Sequence, residues 1–514
     1  MDPFIADDPR FGEMIRVATG ESAPERIDTH GAAVFLAGGR AYKIKRPVRF
    51  PYMDLSTPAK RLAACEAEIT LNRRTAPEIY LGLAPIHDRA TSLTLGEIGA
   101  PIDADGECMV VMQEFDQDTL FDRLAARGQL DDDLVVGLAE RIAVFHDGAE
   151  IMRDRGGSKE MRWVAEENLD ELVDRTDVFD ARDLTELGGR TKEALDHLES
   201  KLDARMRAGF VRRCHGDLHL RNVCLVEGAP TIFDALEFSE SLAITDTQYD
   251  LAYVLMDLLH RDRRAQACKL LNRYLERRPD HDGLSLLPLF VSIRAAVRAK
   301  VSLSMATVQH NESDAQVLRG EARDYLDQAL QSLSPARPVI VAVGGFSGSG
   351  KSTVARALAP MLKPAPGAIA LRSDVIRKEI MRVDDLVPLG PNGYTPDVSD
   401  RVYATLTNRA EVVVRNGFSA IGDATFTKAE GRTALARIAD AAGAKFAGFW
   451  LETDRDTMAA RIGTRTADPS DADAAILDRQ LAEGAGDLDW IRLDARRPAE
   501  VIAADIVTRL AKMP

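Results

Sequence analysis

Residues 345–352 read GFSGSGKS, which satisfies G-x-x-x-x-G-K-[ST] at every position. This octet restricts the possible folds more than any other feature of the chain. Its glycines permit a tight loop whose backbone N–H groups converge on phosphate oxygens, and a following helix adds the positive potential of its N-terminus. The pattern carries that meaning only between a strand and a helix. The β-branched run Val339 to Val343 precedes it, and a helix-compatible segment from Ser352 to Leu362 follows it. A chance glycine turn is the competing reading, and Thr353 completing GKST weighs further against it. Gly345, Phe346, Ser347, Gly348, Ser349, Gly350, Lys351, Ser352 and Thr353 are therefore the expected nucleotide contacts. Lys351 would reach the β- and γ-phosphates, and the Ser352 hydroxyl would join the Mg²⁺ shell.

The sequence around this loop alternates strand and helix. Strands are expected at Val339–Gly344, Ile369–Arg372, Phe418–Ile421 and Phe446–Leu451. Helices are expected at Ser352–Leu362, Val375–Met381, Lys428–Ala442 and Asp454–Arg465. Such alternation predicts an α/β domain with a parallel sheet covered on both faces. LRSDVIRK places Asp374 at the end of the second strand, where a carboxylate beside the phosphate loop can take a proton from an attacking hydroxyl. A helix N-cap is the other role open to it. Asp423, in IGDATF, would hold Mg²⁺ through water or orient the acceptor. Arg461 and Arg465 are spaced i, i+4 and would share a helix face, either neutralising charge on the transferred phosphoryl group or simply facing solvent. No apolar run ends in Asp-Glu, so the signature of AAA motors is missing. These residues, over most of Val339 to Arg465, resemble the P-loop kinase group that includes chloramphenicol phosphotransferase, zeta toxins, gluconate kinase and polynucleotide kinase. The resemblance implies that Asp374 is the base.

A second constellation lies upstream. His215 to Asn222 reads HGDLHLRN, and Asp234 follows in TIFDALEF. A carboxylate, an amide five residues on and a second carboxylate on a nearby strand are the parts that phosphoryl transfer needs. Asp217 would orient or deprotonate the acceptor, and Asn222 and Asp234 would ligate Mg²⁺. HGD in place of HRD, with DALEF in place of DFG, resembles the aminoglycoside phosphotransferase and choline kinase superfamily. His215 is assigned a structural role in the loop, and a zinc site from Cys214, His215, His219 and Cys224 matches no common spacing. The preceding lobe would then supply ATP contacts. AAVFLAGGRAYKIKRP reads as a hairpin over Ala32 to Pro47, followed by a helix from Pro58 to Arg74 and a strand from Cys108 to Phe115. Either Lys43 or Lys45 would pair with the α/β-phosphates, held by Glu68 or by Glu66. The segment Met112 to Phe115, with Glu114, would form the hinge that reads adenine. The hairpin carries no G-x-G-x-x-G loop.

Prolines and serines in QSLSPARP place a domain junction between Gln331 and Pro338. The expected layout is an α+β protein-kinase-like domain over 1–335 (small lobe to about 115, helical lobe to 335) and an α/β P-loop kinase domain over 336–514. In 514 residues, 66 Lys+Arg stand against 81 Asp+Glu, a net charge of −15. That balance disfavours nucleic acid as a partner. The longest apolar stretch, Leu286 to Ile293, is too short to span a bilayer. The first residues show no secretion signal, and five scattered cysteines suit reduced thiols, so a cytoplasmic location is expected.

In order and spacing the chain is similar to a bacterial family of bifunctional aminoglycoside phosphotransferase-like and P-loop ATPase-kinase proteins. YKIKRPV, LNRRTAPEIYLG, CHGDLHLRNV, FDALEFSE, YDLAYVLMDL, GGFSGSGKST, LRSDVIRK and GDATF carry the likeness. The resemblance implies an ATP- and Mg²⁺-dependent phosphotransferase acting on a small-molecule hydroxyl. Two other readings stay open: an ATP-hydrolysing switch with a pseudokinase-like N-terminal domain, and a polynucleotide 5′-hydroxyl kinase.

Overall fold

Period-2 alternation builds the first sheet. Its strands are β1 (Glu25–Asp28), β2 (Ala32–Ala37), β3 (Arg40–Lys45), β4 (Tyr80–Arg89), β5 (Ser92–Leu95) and β6 (Glu107–Gln113), in the antiparallel order β1-β2-β3-β6-β4-β5. Tyr42, Ile44, Met109 and Val111 face one way and pack with Phe11 and Ile15 of the N-terminal helix. Cys108 and Val110 face the other way, against Cys65 and Ile69 of α1 (Pro58–Asn72). Alternate residues of a strand share a face, so Lys43 and Lys45 lie on the α1 side. The helix read as Pro58 to Arg74 is thus found, with Thr57 as its N-cap. Strands β4 and β5 were not anticipated: Gly82 and Pro85 interrupt the strand pattern, and the β4–β6 register slips between Tyr80 and Gly82.

Beyond β6 the chain is mainly helical, as expected, and includes α2 (Asp132–Gly148). A short hairpin, β7 (Val223–Val226) with β8 (Ala229–Ile232), interrupts it before α3 (Thr247–His260).

The second sheet contains β9 (Val339–Gly344), β10 (Ile369–Arg372), β11 (Ala420–Asp423), β12 (Lys445–Glu452) and β13 (Ile491–Asp494). It is parallel throughout, in the order β10-β11-β9-β12-β13. Val343 and Arg372 both stand level with Asp423, so the C-terminal ends of β9, β10 and β11 open onto one crevice, where the chain order reverses. Val354 and Leu358, from the helix after the loop, and Ile502 and Ile506, from Ala499–Lys512, share one apolar cluster against Val341, Val343 and Phe449.

Several boundaries differ from expectation, and two bear on the site. β11 spans Ala420–Asp423, so Asp423 ends the strand. The helix Arg455–Gly463 ends two residues before Arg465, at Gly463 and Thr464. Arg461 and Arg465 therefore do not share a helix face.

The computed structural model describes every residue except 1–3, 21–23, 30, 51–52, 90, 310, 466–467 and 514. Two compact units result, Met1–Asp257 and Leu258–Pro514. The second contains the parallel sheet and also α4 (Arg264–Arg277), α5 (Leu287–Val308) and α6 (Glu312–Ser332). The sequence junction from Gln331 to Pro338 marks where α6 ends and β9 begins. Among the described residues no helix is long and apolar enough to cross a membrane.

The second unit contains a buried histidine with a pH consequence. Burial pushes the His281 imidazole down to about 4, with Arg409 acting in the same direction and Asp280 against it. Its folded pKa lies below the unfolded value of 6.5, so the unfolded chain binds more protons between the two. Stability is complete above the unfolded value and falls, by on the order of 3 kcal/mol, as the pH drops toward the folded one. Urea midpoints taken across this range should slope less in His281→Gln than in wild type; equal slopes would refute the assignment.

Candidate active sites

In the first unit, β3 and α1 bring Lys43, Lys45 and Glu68 under the sheet, where Asp234 and Glu237 meet them. Lys43 Nζ lies 2.9 Å from Glu68 Oε1 and 2.7 Å from Asp234 Oδ1. Lys45 also pairs with Glu68, and with Glu237. Glu68 is fully buried, and the Lys45 and Glu237 side chains are 3% and 9% exposed, whereas Lys43 is 14% exposed. Burial pushes Lys43 down, but Asp234 and Glu68 outweigh it and raise it well above its ordinary value. Burial likewise pushes the Glu68 carboxyl up, and the two lysines overcome it and hold it at about 2. Glu66 lines a separate groove, with Ile69 and Arg73, away from this network. Of the two lysines, Lys43 is therefore the one beside Asp234, and Lys45 is the buried strut.

The HGDLHLRN loop is fixed from beneath. Asp250, on α3, accepts the backbone N–H groups of His215 (3.1 Å) and Gly216 (2.9 Å), and Asp257, one heptad on, accepts that of Leu220 (3.0 Å). His215 bonds the Phe233 carbonyl at 3.0 Å, and burial pushes its imidazole below the ordinary range. Gly216 has φ of 84°, and a Cβ there would stand 3.0 Å from that of Leu236. Glycine therefore replaces the arginine of HRD for a backbone reason. The Asn222 amide donates to the Asp217 carbonyl (2.9 Å) and carboxylate (3.0 Å), and His219 lies 3.3 Å from the same carboxylate. Asp234 adopts φ of 60°; its N–H donates to the Tyr80 hydroxyl at 3.1 Å, and the next N–H donates to Asn72 at 2.8 Å. Asp217 and Asn222 thus form one bonded pair and Lys43, Glu68 and Asp234 another bonded set, and the Phe233 N–H, donating to the Asn222 carbonyl at 3.0 Å, links the two segments. Their hard oxygen donors, the Asn222 amide oxygen and the Asp234 carboxylate, suit Mg²⁺. The Glu114 N–H donates to the Gly39 carbonyl at 3.1 Å.

Among the described residues, the metal-ligand side chains that converge are His146, Cys214 and Asp250, within 4.8 Å of one another. The set of Cys214, His215, His219 and Cys224 does not. Asp250 already accepts the two loop N–H groups, and His146 at 3.1 Å, so this trio anchors the loop.

In the second unit, the phosphate loop joins β9 to α7 (Lys351–Leu358). Lys351 Nζ donates to the Phe346 carbonyl at 2.9 Å. Burial pushes this amine down, opposed by Asp423 and Asp374. The Asp423 carboxyl is raised by burial, against Arg372, Lys351 and a hydrogen bond from Ser352. Arg372 lies 3.5 Å from Asp423 and 3.2 Å from Asp468. The Ser352 hydroxyl and the Asp423 carboxylate are again oxygen donors suited to Mg²⁺. Asp374 sits in the first turn of Ser373–Met381, whose N-cap is Arg372, so Asp374 does not cap the helix.

Arg461 and Arg465 diverge. Arg461 donates to the carbonyls of Ser349 (3.3 Å) and Ala495 (2.8 Å) and so braces the loop. Among the described residues, Nη1 of Arg465 is buried without a hydrogen-bond partner. Arg377 and Lys378 hold neighbouring segments: Arg377 bonds the Gly393 carbonyl at 2.8 Å, and Lys378 pairs with Asp471 at 2.6 Å. Gln480 was not anticipated; its side-chain oxygen accepts the loop N–H of Ser347 at 2.8 Å. Glu237, Tyr80 and Asn72 also escaped the sequence reading, because contact across the fold places them. Asp250 and Asp257 left a signal, two carboxylates seven apart in the otherwise apolar YDLAYVLMDL.

Gly348 has φ of 81°, and a Cβ there would meet the Met458 carbonyl oxygen at 2.4 Å. Gly348→Ala should weaken nucleotide binding at this loop on the order of tenfold or more, because the loop must shift or take up strain. Titration with a fluorescent ATP analogue checks this, and unchanged affinity would count against the loop geometry.

These folds and sites define a tandem kinase-like protein. Residues 97–287 match the phosphotransferase enzyme family (APH), and residues 340–484 match an AAA domain family (AAA_33). Uncharacterized proteins of Mycobacterium tuberculosis and Mycobacterium bovis are each 30% identical over 488 residues, 92% of this chain and 92% of theirs. The chain belongs to their family, which joins a phosphotransferase-type domain to a P-loop domain. Among solved structures, a gluconokinase from Sinorhizobium meliloti is similar at 23% identity and a TM-score of 0.26, covering 35% of this chain and 94% of its own. A choline/ethanolamine kinase family protein from Mesorhizobium loti is similar at 13% and 0.38, covering 64% and 96%.

Proposed function

We propose that this chain is an ATP-dependent phosphotransferase with two nucleotide sites, in domains 1–335 and 336–514, moving the γ-phosphoryl group of ATP to a hydroxyl of a small molecule. The observation that carries the reading is the pairing of Asn222 with Asp217 together with that of Lys43 with Glu68 and Asp234, on segments linked by the Phe233–Asn222 backbone bond. In the first site Asp217 takes the acceptor proton as the hydroxyl oxygen attacks the γ-phosphorus and the bond to the β-phosphate oxygen breaks, releasing ADP. Lys43 holds the α/β-phosphates and Glu68 holds Lys43. Glu114, just past β6, would read adenine. In the second site Lys351 contacts the β- and γ-phosphates, Asp374 is the base and Arg465 faces the transferred charge. Arg461 supports the loop. Asn222 and Asp234 in one site, and Ser352 and Asp423 in the other, would hold Mg²⁺, which when bound neutralises phosphate charge.

The test incubates γ-labelled ATP and a desalted metabolite extract with wild type, Asp217→Ala and Lys351→Met, each verified as folded. A labelled metabolite lost in one variant assigns the active domain, and loss in both indicates coupled sites. Label found only in inorganic phosphate, without acceptor dependence, would overturn the kinase reading in favour of a nucleotide-driven switch.

A further inference from the structure

We propose that Asn272, on α4, is a positioning residue for Asp374, an inference that rests on reading Asp374 as the base of the second site. β10 is an edge strand, paired with β11 on one side. On the open side, Ala370 N–H donates to Asn272 Oδ1 at 2.7 Å, and Asn272 Nδ2 donates to the Ala368 carbonyl at 3.0 Å. The C=O of one residue and the N–H two residues on point the same way along a strand, and a neighbouring strand normally satisfies both. One side-chain amide, with a donor and an acceptor, does so here.

The grip extends along α4. Residues 264, 268 and 272 are spaced by four and so lie on one helix face. Arg264 donates to the carbonyls of Pro366 (3.1 Å) and Leu362 (2.8 Å) on the approach to β10. Cys268 is buried in the apolar cluster that lies under β9. The Asn272 amide is itself held by a 2.9 Å bond to the Cys268 carbonyl, so its orientation is set before it meets the strand.

Asp374 follows the last residue of β10 by two. A shift of this strand therefore moves the carboxylate relative to Lys351, whose loop leaves the central strand β9. β9 is held on both sides, by β11 and β12, and does not depend on Asn272. Asn272 should thus govern turnover more than nucleotide affinity. It also lies within the 97–287 phosphotransferase match, whereas Asp374 lies within the 340–484 match. A residue of the first family segment sets the geometry of the second family's site.

The test uses the full chain in an Asp217→Asn background and follows the ATP turnover that Lys351→Met abolishes. Asn272→Ala is expected to lower kcat about ten- to a hundredfold, with KM for ATP changed less than about twofold, and to speed hydrogen exchange at the Ala370 amide. Asn272→Gln, which keeps the amide, should recover part of kcat. If Asn272→Ala fails to fold, Asn272→Asp, which keeps the acceptor for Ala370, is judged by the same split. An unchanged kcat, or kcat and KM altered together without recovery by Gln, overturns the proposal. Asp374→Asn serves as the control: if it leaves turnover intact, the base assignment fails; if it abolishes turnover while the Asn272 variants do not, only the positioning role fails.

Discussion

Asp217→Asn is expected to lower phosphoryl transfer at the first site by about 10²- to 10⁴-fold, the range for loss of a positioned general base. Nucleotide affinity should stay close to wild type. The reason is geometric. The Asp217 carboxylate accepts from the Asn222 amide at 3.0 Å, while Lys43 and Asp234 meet each other through a separate 2.7 Å contact. Exchanging one carboxylate oxygen for an amide removes the proton acceptor without unpairing a buried charge. The measurement is single-turnover transfer from labelled ATP to the acceptor found in the extract, alongside nucleotide titration of the same variant. A Kd that rises as far as the rate falls would mean that Asp217 supports nucleotide binding, not proton transfer.

Lys45→Met is expected to destabilise the first unit by about 3–5 kcal/mol, the cost of removing one partner from a buried ion pair. Lys45 stands between two carboxylates with little access to water: Glu68 is fully buried and Glu237 is 9% exposed. Burial already pushes the Glu237 carboxyl up, with Lys45 as the main opposing influence. Without the lysine, Glu237 must either take up a proton or move. Urea unfolding at neutral pH checks the size of the effect. The double variant Lys45→Met/Glu237→Gln should be more stable than Lys45→Met alone, since the uncompensated charge is gone. If the double variant loses the two single effects in simple sum, the pair is not coupled and the strut assignment falls. Lys43→Met should behave differently, because Lys43 is more exposed and faces Asp234: its main loss should be in nucleotide affinity.

Much of this molecule could be read from local sequence. The GFSGSGKST loop, its strand and its helix follow from glycine spacing and β-branched runs, which act over a few residues. The hairpin carrying Lys43 and Lys45, the helix carrying Glu68 and the order Asp217, Asn222, Asp234 were equally legible. The helix over Arg455–Gly463 was legible in kind but not in extent. An i, i+4 spacing suggests a shared face, yet Gly463 and Thr464 end the helix before Arg465. Strand β4 was obscured by its own Gly82 and Pro85, since tertiary pairing with β6 overrides their low strand propensity.

By itself, the sequence determined the two kinase-type folds, the phosphate loop and which polar residues are proposed to carry phosphoryl transfer, because motif spacing and side-chain chemistry are local properties. Only the tertiary structure decided which of two equivalent lysines stands beside Asp234. It alone separated Arg461, bound to loop carbonyls, from Arg465, with a buried unpartnered nitrogen. It alone placed Asn272 on the open edge of a sheet formed about a hundred residues later in the chain. Each of these depends on which groups meet after distant segments pack and lose water, and no pattern within a short stretch of sequence encodes that meeting.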